Sequence, residues 1–126
     1  MATQNPVNYS FTAAADLSAK QFLGVKITAA RTVNVAGAND AHGVLQNKPA
    51  SGEFAAVCMG GLGKAVAGAT VAAGDFLTTE ATTSRVIAMS GTTLQNCIGI
   101  AVDAAVDGDI FNYLAMPPVK TRVATS

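Results

Sequence analysis

Charge is scarce in this sequence. Of its 126 residues only 13% are charged, whereas an ordinary soluble domain has about 25%. Eight Lys and Arg residues balance eight Asp and Glu residues, so the formal net charge is zero. Binding to phosphate groups or to an anionic membrane surface requires clustered Lys and Arg, so we expect neither a nucleic-acid partner nor a membrane partner.

A charge-poor exterior loses little solvation when another protein covers it, because few charges have to be stripped of water. We therefore interpret much of the surface as interface in the working state. The alternative is a small neutral globule that is soluble without a partner.

Residues suited to catalysis or metal binding are also few. The sequence has no Trp, one His and two Cys. His42 stands among turn-forming residues and no GxSxG elbow is present, so we expect no enzyme activity. One His and two distant Cys do not form a zinc site. Cys58 and Cys97 lack a CxxC partner and are predicted to be buried thiols, with a late-formed disulfide as the alternative.

Long apolar runs and recognisable cofactor motifs are absent as well. No run approaches the roughly 18 apolar residues of a membrane helix, and the N-terminus lacks the basic start of a signal peptide. The segment 60–64 resembles a phosphate loop, but Cys58 and Ala65 occupy positions where that motif needs Gly and Ser or Thr. The aspartates of the 103–109 region do not have EF-hand spacing. We expect no cofactor and no metal ion.

What the sequence does contain is a β pattern. Turn signals recur about every ten residues between short runs of β-branched and apolar residues, which is typical of a small sandwich or barrel. We predict an all-β, Gly-rich barrel or sandwich in residues 21–117, an extended N-terminal arm in residues 1–20, and a polar tail in residues 118–126 beyond Pro117-Pro118. The predicted strands include residues 33–35, 43–47, 53–59, 64–67, 76–79, 85–89, 97–102 and 110–114.

Several phrases occur in an order that carries a family likeness. They are Ala15–Phe22, Gly43–Pro49, Ala50–Glu53, Val71–Leu77, Ile98–Ala101 and the Asp107–Ile110 hairpin. Together, over residues 16–117, they resemble the capsid decoration (cement) proteins of tailed phages, of the DUF2190 type, whose role is similar to that of the lambda head decoration protein.

The resemblance implies a structural virion protein on the outer surface of a phage head, made in the host cytoplasm. It implies stabilisation of the major capsid protein lattice by homotrimers at local threefold junctions, and it brings no catalytic residues. The arm is then expected to lie on the capsid protein or on a neighbouring subunit. Its predicted contacts are Pro6, Tyr9 and Phe11, since aromatic side chains bury much area at low entropic cost.

Two further functions remain open at this point. A tail or neck protein of the virion would share the β-rich, charge-poor character, but it would form rings on the tail axis. A small-ligand or carbohydrate-binding β domain would have a concave pocket lined by aromatic side chains.

Overall fold

The computed structural model describes residues 7–91 and 94–121. Within these ranges the regular structure consists of β-strands, as predicted. They are β1 (Val7–Ala13), β2 (Gly24–Ala29), β3 (Thr32–Val35), β4 (Gly43–Leu45), β5 (Phe54–Val66), β6 (Phe76–Thr79), β7 (Val86–Ala88), β8 (Gln95–Ala101) and β9 (Ile110–Thr121).

Five of these strands close a barrel. Their order is β1-β3-β2-β4-β5, and β5 also pairs with β1, which completes the ring. The pairings are antiparallel except for that of β1 with β3, which is parallel. Of the two architectures that the sequence left open, the fold is therefore the barrel.

The long strand β5 also belongs to a second sheet. The first part of β5 belongs to the barrel, whereas residues 61–66 pair with β9, which continues to β8, β6 and β7. An isolated parallel bridge between Ala67 and Val86 brings β7 back to the end of β5. The second sheet thus curls around a core of its own.

Each half of β5 contributes to a different hydrophobic core. The barrel core contains Ala13, Leu17, Val25, Val33, Leu45, Ala55 and Val57. The core of the second sheet includes Leu77, Val86, Ile98, Phe111 and Tyr113. Because successive side chains of a strand point to opposite faces, β5 buries Ala55 and Val57 in the barrel, and Cys58 in the other core.

The predicted arm is extended over its described residues, and it is also paired. In β1, Phe11 lies opposite Ala55 and Tyr9 lies opposite Val57. The backbone that follows β1 also stays in contact with the barrel. The Leu17 N–H donates a hydrogen bond to the Pro49 carbonyl at 2.9 Å, and the Leu17 side chain is buried. Residues 7–17 of the predicted arm therefore help to build the barrel.

The predicted tail begins inside a strand. β9 passes through the two prolines, and Val119 pairs with Cys97, Lys120 with Asn96 and Thr121 with Gln95. The strand therefore continues past Pro117-Pro118 into the first residues of the predicted tail. A proline cannot donate a ladder hydrogen bond, but it is tolerated at bulges, and the register between β8 and β9 slips at this point, between Cys97 and Gly99.

The glycine-rich segment 60–63 is part of a continuous strand. The sequence predicts a bend or bulge there, and the register between β1 and β5 does shift, with Val7 opposite Gly60 and Asn8 opposite Cys58. Gly61 has a φ of 68°, which glycine adopts without steric cost. This irregularity coincides with the point where β5 passes from the barrel to the second sheet.

Candidate functional site

The histidine is used structurally. His42 Nδ1 accepts a hydrogen bond from the Ile27 N–H at 2.9 Å. Next to it in the chain, Asp40 accepts hydrogen bonds from the Gly37 N–H at 2.6 Å and from Lys26 Nζ at 3.1 Å. These bonds hold the loop before β4 against β2.

The two thiols are free and buried, as predicted. Burial raises the pKa of the Cys58 thiol, which donates to the Gly60 carbonyl at 3.3 Å. Burial also raises the pKa of Tyr113 well above its ordinary value, and the neighbouring Cys58 adds to the shift. The reactive form of cysteine is the thiolate, so Cys58 is poorly suited to be a nucleophile.

Among the described residues, no three His, Cys, Asp or Glu side chains are grouped so as to hold a metal ion. Residues 60–64 lie within β5, without the helix N-terminus that binds phosphate in a phosphate loop. The described part of the chain forms no helix long and apolar enough to cross a membrane.

The predicted contacts of the N-terminal segment have different environments. Pro6 lies outside the described residues. Tyr9 is 57% exposed, so its ring is available to a partner. Phe11 is only partly exposed and packs against the barrel core, so most of its apolar area is already used within the subunit.

A shallow groove borders this strand and was not predicted. It has a volume of about 310 Å³ and is lined by Ser10, Phe11, Thr12, Arg31 and Phe54. Phe54 is 56% exposed and lies opposite Thr12 in the sheet. Arg31 makes no ion pair with any described residue. The groove therefore offers an aromatic ring and a free cation side by side.

A second exposed region lies on the outer face of the other sheet. Four apolar side chains stand directly opposite one another across β5, β9, β8 and β6, and we call them the apolar row: Leu62, Leu114, Ile100 and Phe76. Leu114 is 45% exposed and Phe76 is 52% exposed. Their neighbours along the strands, such as Tyr113 and Leu77, point inward and are buried.

A polar row runs beside the apolar one on the same face. Lys64 on β5 lies opposite Asn112 on β9. The Asn112 side chain donates to Asp103 Oδ2 at 2.8 Å from the other side. Lys64 forms no ion pair with a described residue. The polar row thus carries a cation at one end and an anion at the other.

Comparison with known proteins shows a shared fold. The chain superposes on the N base of head fiber gp8.5 of bacteriophage phi29, a crystal structure, with a TM-score of 0.60 and 18% sequence identity. The match covers 93% of this chain and 100% of that one. No family model and no curated protein sequence matches the chain. At this level of identity the similarity establishes the fold.

Proposed function

We propose that this protein is a structural component of a phage virion that attaches to the outer surface of the head and reinforces the major capsid protein lattice. In this role it acts as a homotrimer at the threefold junctions and needs no catalytic group. The observation that carries the proposal is the fold shared with the base of a head fiber, over 93% of this chain and the whole of that one.

The chemistry of the surface supports attachment to a protein. The net charge is zero and charged residues are few, so covering the surface removes few charges from water. Large exposed apolar side chains occur on both halves of the molecule, for example Tyr9 and Phe54 on the barrel and Phe76 and Ile110 on the second sheet. Exposed apolar side chains of this kind mark interaction surfaces, and a protein that contacts partners on several sides buries them in its assembled state.

The barrel surface around β1 is the proposed contact with the head. Tyr9 and Phe54 supply exposed aromatic area, and beside it Arg31 supplies a guanidinium that forms no ion pair within the described residues. Aromatic residues and arginine are the residue types that dominate binding energy at interfaces. We propose that Arg31 pairs with a carboxylate of the capsid protein, since planar bidentate pairing favours arginine.

Many copies on one lattice make a modest contact sufficient. Each attached trimer closes one junction, and a trimer that engages several capsid proteins at once gains from the high effective concentration of the second site. A small contact of this kind resists expansion of the whole shell because it is repeated at equivalent positions.

The experiment is co-sedimentation of the purified protein with expanded heads that lack it. We expect saturable binding of the wild type, and binding weakened roughly tenfold or more in Tyr9→Ala and in Phe54→Ala, as for residues at the centre of an interface. Val119→Ala is the matched control, because Val119 is 55% exposed but lies on the other sheet. Point substitutions are preferable to deletion of residues 1–11, because residues 7–13 close the barrel.

Absence of binding to heads by the wild-type protein would contradict the proposal. Binding to isolated tails or necks instead would favour a structural role elsewhere in the virion. Equal binding to heads by the wild type and all the variants would support attachment to the head, but it would show that the contact surface lies elsewhere than around Tyr9 and Phe54.

A further inference from the structure

The outer face of the second sheet has a self-complementary arrangement of residues. The apolar row crosses four strands, and the polar row beside it ends in Lys64 on the β5 side and in Asp103 on the β8 side, with β9 between them. Lys64 is exposed and has no ion-pair partner among the described residues. The two opposite charges stand at the same height along β9, about two strand spacings apart, which is roughly 10 Å.

This arrangement matches a ring of identical subunits. A rotation axis that runs parallel to β9 in front of Leu114 leaves the height along the strand unchanged. It therefore brings the β5 side of one copy against the β8 side of the next. In such a ring Lys64 meets Asp103 of the neighbouring copy, Leu62 meets its Ile100, and the Leu114 side chains converge on the axis.

We infer that this face joins copies of the chain about an axis parallel to β9. The number of copies, three, rests on the proposed function, whereas the contact itself does not require a capsid. The face leaves the barrel surface around Tyr9 free, because the two surfaces lie on different halves of β5.

The size of the face is consistent with a subunit interface. Four strands by five residues measure roughly 300 Å² in projection, and a stable interface buries about 800 Å² of accessible surface per partner. The face therefore fits the apolar centre of such an interface, with neighbouring loops as its rim. Charge is depleted at the centres of interfaces, and here the charged ends flank the apolar row.

The first test is oxidative cross-linking of the double variant Lys64→Cys/Asp103→Cys. The native cysteines are buried and do not compete. We expect covalent species of two and three copies that stop at three, because the heterologous contact closes on itself. Each single variant lacks the partner thiol and serves as the control.

The outcomes separate the contact from the proposed function. The inference is overturned if, both in solution and on heads, the double variant forms no more cross-links than the single variants. Cross-links that continue beyond three would also overturn it, because the contact would not close. A limit at two copies would support the face and contradict the proposed trimer.

The second test uses Leu114→Asp, with Val119→Asp as the matched control on the same strand. Leu114 is 45% exposed and Val119 is 55% exposed, so both variants are expected to fold with the thermal stability of the wild type. Leu114→Asp should weaken self-association measured by sedimentation roughly tenfold or more, whereas Val119→Asp should not. Unchanged association with a loss of binding to heads would overturn the inference and assign the face to the capsid.

Discussion

Gly99 lies against the ring of the buried Tyr113. A Cβ atom at position 99 would come within 2.8 Å of Tyr113 Cδ2 and within 2.4 Å of the Leu114 carbonyl oxygen. On the other side of β9, Tyr113 contacts Gly63 of β5. A Cβ atom added there would stand 3.2 Å from the Tyr113 ring and 2.7 Å from Cys58 Sγ. Two glycines thus make room for the largest fully buried side chain of the second core.

Gly99→Ala is therefore expected to destabilise the protein. The added methyl group meets backbone and a ring that cannot move away, and overpacking of this kind costs about 1–3 kcal/mol of the free energy of unfolding. Urea denaturation measures the change. Gly60→Ala is the matched control, since its Cβ would have its nearest neighbour at 3.4 Å. Equal effects of the two substitutions would contradict the packing argument.

The raised pKa of Tyr113 predicts that the protein loses stability at high pH. Burial raises its pKa well above 10.0, so the folded state holds the phenolic proton more tightly than the unfolded chain does. This contribution is fully present below about pH 10, the unfolded value, and falls as the pH rises towards the folded value. Unfolding by denaturant between pH 8 and pH 11 is expected to show a decline that is smaller in Tyr113→Phe.

The same substitution tests the environment of the hydroxyl group. The Tyr113 hydroxyl makes no regular hydrogen bond to a described residue, and its interaction with the Cys58 thiol is weak because a thiol is a poor hydrogen-bond partner. Replacing a buried hydroxyl in such a site by an apolar group of the same shape is nearly neutral or stabilising. Tyr113→Phe should therefore not lower the free energy of unfolding at pH 7. A loss of more than about 1 kcal/mol, the net value of one hydrogen bond, would indicate a partner. Tyr9→Phe, at an exposed position, is the control.

Lys26 and Asp40 should contribute unequally to the free energy of unfolding, although they form one ion pair with each other. Their side chains are 39% and 40% exposed, and a pair this exposed is worth at most about 1 kcal/mol. Asp40 also accepts the Gly37 N–H at 2.6 Å. Asp40→Ala is therefore expected to lower the free energy of unfolding more than Lys26→Ala does. Urea denaturation of the two single variants tests this order, and a larger effect of Lys26→Ala would contradict it.

The two thiols should be unreactive until the protein unfolds. Cys58 and Cys97 are 1% and 2% exposed, so a thiol-specific reagent should modify neither of them in the native protein and both of them in denaturant. Rapid modification of either thiol under native conditions would show that its core opens readily.

Local sequence patterns predicted most of the strands. The strand at residues 76–79 was placed with its observed ends, and the turns at Gly52, Gly74 and Gly108 have the positive φ that their sequences indicate. The continuation of β9 beyond Pro117-Pro118 was missed, because a double proline ordinarily ends a strand and only the slipped register with β8 accommodates it.

The arrangement of two cores around β5 could not be predicted from the sequence. It depends on which strand each half of β5 pairs with, and those partners are far away in the chain, such as β1 and β9. The candidate surfaces were missed for the same reason. Leu114 was predicted to lie in a strand, but its outward direction and its alignment with Leu62 and Ile100 depend on the sheet register. Tyr9 is recognisable from the sequence as an aromatic residue, whereas its exposure follows from its place in β1.

The most direct test of the account is an image of decorated heads. Expanded heads incubated with the purified protein, and reconstructed by electron cryomicroscopy beside undecorated heads, should show added density on the outer surface at the local threefold positions. The barrel should face the shell in that density, with Tyr9 at the contact. Heads without added density, or density confined to the neck or tail, would contradict the account.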